Sequence, residues 1–161
     1  MSILENADIE SWIAKETPEP VLEPDLPIID PHHHLWDLRP NNQMGFRQEV
    51  YLCEEISRDI SESGHNVVQT VFAQCGAFYR ADGPEEMRCI GETEFVNGIA
   101  AMSRSGVYGP TRLCTGIFST ADLRLGSSAE AVLTAHLEAS PNFRGVRSAF
   151  PTDLNETFLA G

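Results

Sequence analysis

The segment Pro27-Ile28-Ile29-Asp30-Pro31-His32-His33-His34-Leu35-Trp36-Asp37 constrains the fold more than any other stretch of the chain. Ile28 and Ile29 carry branched Cβ atoms that pack well on a pleated surface, so the run predicts a strand. Pro31 has no N–H to give to a ladder, and pairing is expected to stop there. Residues 27–32 therefore read as a first strand that opens into a histidine-bearing loop. Side chains of extended backbone alternate, which puts His32 and His34 on one face and His33 on the other. Two imidazoles on one side of a strand end are suitable donors for a single transition-metal ion. A solvated polar turn accommodates the same three residues, and the triplet alone does not separate the two readings.

Downstream, strand-like and helix-like stretches alternate. Residues 1–26 form an acidic leader in which Ile9, Trp12 and Ile13 share a helical face, until Pro18, Pro20 and Pro24 stop any helix. Arg39-Pro40-Asn41-Asn42 is turn chemistry. Residues 50–63 place Tyr51, Leu52, Ile56 and Ile60 near helical spacing, and Gly64 supplies the stop. Val67 to Ala73 is nearly continuous and apolar, as in a strand buried on both faces, with Gln74 and Cys75 at its C-terminal end. The acidic Asp82-Gly83-Pro84-Glu85-Glu86 opens a helix that runs to about Arg104, with Met87, Ile90, Phe95 and Ile99 as its buried stripe. A third strand covers Arg112 to Ser119. A third helix covers Ala129 to Ala139, with Leu133 and Leu137 on its apolar side and His136 partly exposed. Phe143 to Phe150 reads as a fourth strand. This alternation argues for an α/β fold of parallel βαβ units over residues 27–161.

Composition removes several classes of function. The formal net charge of −13 repels nucleic acid and anionic membrane surfaces. No apolar run approaches the ~18 residues of a membrane span. The N-terminal residues lack the basic flank and apolar core of a signal peptide, so a cytoplasmic protein is expected. Cys53, Cys75, Cys89 and Cys114 show no C-x-x-C pair and read as packed thiols. Lys15 is the only lysine, and it precedes the first strand.

Asp30-Pro31-His32-His33-His34-Leu35-Trp36-Asp37, following an apolar strand, resembles the first strand of the amidohydrolase superfamily, whose signature is His-x-His. Gly64-His65-Asn66-Val67-Val68 and Phe143-Arg144-Gly145-Val146-Arg147 are similar to the amidohydrolase-related branch that includes sugar-acid and pyrone-dicarboxylate lactonases. The three segments occur in order over about residues 27 to 150. The resemblance implies a partial (β/α)8 TIM barrel, about the first four βα units, because a complete barrel takes about 250 residues.

It also implies that His32 and His34 are the first-strand ligands of a divalent metal, zinc by donor type. With no lysine at a strand end to bridge two ions, the site is expected to be single. The family's other ligands and its catalytic Asp belong to strands five to eight, so no general base is assigned within this chain. Some lactonases of the branch work without metal, and there the two histidines would polarise a lactone carbonyl directly. Arg147 is a candidate clamp for a substrate carboxylate, with Gln74 and Trp36 as further pocket candidates. The expected activity is hydrolysis of a lactone, on a small carboxylate or lactone substrate. The alternatives are a metal-dependent decarboxylase of the same fold and a non-catalytic barrel fragment. Exposed sheet edges would then favour a homo-oligomer or pairing with the missing C-terminal half.

Overall fold

Val67–Ala73 and Arg112–Ser119 form strands over the bounds that their apolar runs predict, and they are the middle of the sheet. The computed structural model describes residues 11–17, 19–39 and 48–147. Within them the chain runs β1 (Ile28–His33), β2 (Trp36–Asp37), β3 (Val50–Tyr51), α1 (Cys53–Glu62), β4 (Val67–Ala73), α2 (Ile90–Arg104), β5 (Arg112–Ser119), α3 (Ala129–Ala139) and β6 (Phe143–Val146). Short 3-10 turns occupy Glu85–Met87 and Leu123–Ser128. β1, β4, β5 and β6 make one parallel sheet in that spatial order, and β2 pairs antiparallel with β3. The fold is α/β.

Each parallel connection contains a helix, and such crossovers are right-handed almost without exception. Because the strand order never reverses, successive crossovers lay their helices on one face. Leu35, Ile56, Phe72, Val96, Ile99, Leu113 and Ile117 are buried there as the main core. A second cluster, Cys89, Ile90, Ala121 and Val132, lies where α2 meets α3. The rest of the sheet is less covered: Ile29, Gln69 and Phe118 are exposed.

Several elements depart from the sequence reading for local reasons. β1 does not stop at Pro31. Its register passes from Asp30↔Thr70 to His33↔Phe72, so three steps on β1 face two on β4. Pro31 falls inside this bulge, where the ladder is already broken and no donor is missed. Val50 and Tyr51 pair with Asp37 and Trp36, which delays α1 to Cys53. There the Leu52 N–H donates to the Glu55 carboxylate at 2.9 Å, satisfying one end group of the helix. Gly64 follows α1 with φ +74°, the left-handed turn expected of a stop. Glu85–Met87 is a separate turn, so Met87 does not belong to α2.

The buried side of α3 is Ala129, Val132 and His136, while Leu137 is 63 % exposed. The helix is rotated from the Leu133/Leu137 stripe, and His136 is buried rather than partly exposed. Both of its ring nitrogens find partners: Thr93 Oγ1 at 2.9 Å from Nδ1 and the Thr120 carbonyl at 2.9 Å from Nε2. Its ring also stacks on Phe143 at 5.0 Å. Of the leader, Trp12 and Ile13 are exposed, and the Asn66 side-chain amide donates to the Asp25 carbonyl at 3.1 Å. Ile9 and the segment 148–150 lie outside the described residues. Among the described residues no helix is long and apolar enough to cross a membrane.

Candidate functional site

His32 and His34 leave the C-terminal end of β1 on the same side. Their Nε2 atoms lie 3.2 Å apart and their rings meet edge to face. His34 Nδ1 is 2.7 Å from the Ala73 carbonyl at the end of β4. A carbonyl only accepts, so Nδ1 carries a proton and donates, and in the neutral ring that leaves the lone pair on Nε2. Such a bond fixes the ring and its tautomer, as it does for metal-ligating imidazoles. The His32 N–H donates to Asp30 Oδ1 at 3.0 Å, holding the backbone of the turn.

The separation of the two nitrogens is informative. Two imidazole ligands ~2.0–2.1 Å from a tetrahedral zinc place their nitrogens roughly 3.3 Å apart. The His32/His34 pair already has that bite. A catalytic zinc normally takes three protein ligands, however, and no group of three His, Cys, Asp or Glu side chains able to hold a metal occurs among the described residues. The pair fits one edge of a metal site and does not complete it.

Arg147 reaches this pair from the opposite margin of the sheet. Its backbone N–H donates to the Ser119 carbonyl at 2.8 Å, extending the β5–β6 ladder by one bond. Its Nη1 lies 3.4 Å from His32 Nε2. β1 and β6 are three strand spacings apart, about 14 Å in a flat sheet. The contact therefore needs both side chains to lean across the same end of the sheet. A guanidinium here supplies the charge that an anionic group beside the histidines would need. Arg144 is spent elsewhere, on the carbonyls of Pro141 and Phe143.

The other two predicted pocket residues are engaged with their neighbours. Gln74 donates through Nε2 to the Tyr79 hydroxyl at 2.9 Å. Burial pushes that hydroxyl up to about 12, so it remains protonated. Trp36 donates its indole N–H to the Gln48 carbonyl at 2.8 Å and stacks on Tyr51 at 5.1 Å. It fastens the β2–β3 pair. His33 points inward against Phe72, and burial lowers its pKa to about 4, which keeps it neutral.

Sequence reasoning missed Glu92. It lies on α2 with no exposure, and one oxygen, Oε1, accepts the N–H groups of Cys75, Gly76 and Ala77 at 3.0, 2.9 and 2.9 Å. Desolvation raises its pKa, and the three amides work against that rise. It holds the loop that follows Ala73 and Gln74. The available signal was its position two residues after Ile90, within the first turn of a helix packed on the sheet. Cys75, nearby, is exposed rather than packed as its sequence setting suggests; its Sγ donates to the Leu35 carbonyl at 3.4 Å, and desolvation of the thiol, with the Glu92 carboxyl beside it, raises it to about 11. A cleft of about 380 Å³ between β1 and α1 is lined by Ile28, Asp30, Tyr51, Ile56 and Asp59 among others, with neither His32 nor His34 at its wall. Comparison with protein-family models, curated proteins and solved structures finds no match to this chain.

Proposed function

We infer that this chain supplies the first four βα units of an amidohydrolase-type (β/α)8 barrel, and that its chemistry is hydrolytic opening of a lactone. The observation that carries this reading is the convergence of His32 and His34 to 3.2 Å at the C-terminal end of β1, with Arg147 3.4 Å from His32. The strand order supports it. A sheet that grows in chain order with no reversal is the kind that can close into a barrel, and a barrel places its chemistry at the C-terminal ends of its strands.

In the reaction, water adds to the lactone carbonyl carbon and the carbonyl π electrons move onto oxygen. His34 presents an acceptor at Nε2, so the proton offered to that oxyanion is the one His32 Nε2 otherwise shares with His34, transferred to the carbonyl oxygen once Arg147 turns to the substrate. Arg147 holds a carboxylate of the substrate in two-point geometry beside the reacting ring. Collapse of the tetrahedral adduct breaks the ring C–O bond, and the released oxygen takes a proton to give the open hydroxy acid. The base that takes the proton of the attacking water is assigned to no residue of this chain. A divalent metal, zinc by donor type, would be held by His32 and His34 and supply Lewis acidity at the carbonyl. The same placement of Arg147, a carboxylate anchor beside two imidazoles, also suits metal-dependent decarboxylation. The setting is cytoplasmic and the substrate a small anion.

The test is a panel of lactones, with and without a ring carboxylate, offered to the protein in its native form with and without chelator. Ring opening that disappears in His32→Ala and His34→Ala supports the reading. Carbon dioxide release in place of ring opening favours decarboxylation. No turnover of any lactone, ester or amide overturns it.

A further inference from the structure

Three consecutive histidines pose a register problem. A one-residue slip of a strand exchanges its two faces. A slip at the triplet would turn His33 to the site and send His32 and His34 inward, leaving one imidazole where there are two, and it would carry the fully buried Leu35 out with His33. The ladder is weak at the same place, because Pro31 has no N–H and the β1–β4 register is irregular from Asp30 to His33. Burial of Leu35 acts beyond this break, and something must also hold the triplet itself.

That hold is on the buried side. His33 Nε2 lies 2.8 Å from Thr70 Oγ1 on β4. Thr70 Oγ1 also accepts the Cys114 N–H of β5 at 3.0 Å. Cys114 sits in a bulge where Gln69↔Arg112 gives way to Val71↔Gly116, so four steps on β5 face two on β4. Its φ of +56° lies in the left-handed region that a non-glycine residue seldom adopts, and it leaves the Cys114 N–H and carbonyl outside the ladder. The Thr70 hydroxyl takes the first, and the Asn142 amide donates to the second at 3.0 Å. A chain of buried hydrogen bonds thus runs from β1 through β4 and β5 to the residue before β6. It joins both bulges and ends on the middle histidine.

We propose that His33 is the register lock of the histidine pair: its bond to Thr70 keeps His33 inward and so holds both His32 and His34 at the site. His33 is a positioning residue and touches no substrate. The proposal deepens the hydrolase reading, because the lock matters for catalysis only where His32 and His34 are the working pair. Its test uses neither substrate nor metal, so each can fail without the other.

Nitrogen-15 NMR of the histidine rings reads the outcome. In the wild-type chain the Thr70 hydroxyl proton is expected to exchange slowly and to show a nuclear Overhauser effect to the His33 ring, with His34 in the single Nδ1–H tautomer. Thr70→Val keeps the volume and removes the hydroxyl. His33→Phe keeps a ring and removes its nitrogens. Both should split or broaden the His32 and His34 ring signals, and His33→Gln, which can still bond Thr70, should restore one sharp set. If Thr70→Val and His33→Phe lower the melting temperature but leave His32 and His34 in one unchanged set, the lock is refuted. If either variant fails to fold, the wild-type measurement decides: a fast-exchanging Thr70 hydroxyl with no contact to His33 refutes it equally.

Discussion

The chain holds histidines in two contrasting settings. His136 is enclosed between α3, α2 and β6, with Thr93 on one nitrogen, the Thr120 carbonyl on the other and Phe143 stacked on its face. Nothing about it is left to offer a ligand. Cys89 Sγ lies 3.6 Å from its Nε2, yet that thiol also faces the Glu86 and Thr120 carbonyls and is raised by burial, so the pair is no nucleophile and base. At the end of β1, His34 spends only Nδ1 on the fold, and the two Nε2 atoms face each other across 3.2 Å in the open. A histidine whose two nitrogens both end on protein atoms holds structure together. Histidines that use one nitrogen as an anchor and turn the other toward a shared point can do chemistry.

That contrast can be broken most decisively by deleting the enclosed ring. His136→Ala removes a fully buried aromatic side chain and leaves the Thr93 hydroxyl and Thr120 carbonyl short of a partner. The cost should be about 4 kcal/mol in urea unfolding, and a loss under about 1 kcal/mol would mean that the ring is not structural.

Acidity probes the same group. Burial lowers the His136 pKa below its usual 6.5, so the unfolded chain binds a proton that the folded chain refuses. Its contribution is present above pH 6.5 and is lost as pH falls below it, by up to about 1.4 kcal/mol per unit of pH for one proton. Unfolding curves at stepped pH should show His136→Gln with a slope shallower by one proton. Equal slopes for the two proteins would contradict the burial.

At the other site the balance should reverse. His34→Ala gives up the part-buried bond to the Ala73 carbonyl and the contact with His32, so stability should fall by only about 1 kcal/mol, and any zinc uptake that calorimetry detects in the wild-type chain should be lost. A stability loss matching that of His136→Ala would make the two settings alike after all. The smallest effect is expected at Leu137, next to His136 but 63 % exposed: Leu137→Lys should stay within about 0.5 kcal/mol of wild type.

Much of this architecture is legible in the chain because its signals are local. The bounds of β4, β5 and α3 follow from apolar runs cut by glycine, proline and polar turns, and the divergence of His33 from its neighbours follows from strand alternation. What escapes has partners far away in sequence. α3 turns His136 inward because Thr93 and Thr120 wait for it, and no periodicity on the helix announces them. His33, beside the bulge at Pro31, and the left-handed Cys114 both bond to Thr70, and the Glu92 carboxyl is buried where it accepts three amides of the Cys75–Ala77 loop. Arg147 lies 115 residues from His32, and only resemblance to a family brought the two into one site. Gln74 and Trp36 stand near the expected face, yet bonds to Tyr79 and Gln48 engage their polar atoms, which composition could not foretell.

The carboxylate of Glu92 has a consequence for selectivity. Three backbone N–H groups aimed at one point form a receptor for any negative oxygen, and here that receptor sits just past Ala73, whose carbonyl steadies His34. Left vacant, it would be a second place for an anion beside the strand end that carries His34. The protein closes it with the buried carboxyl group of Glu92, so that none of these three amides is left open.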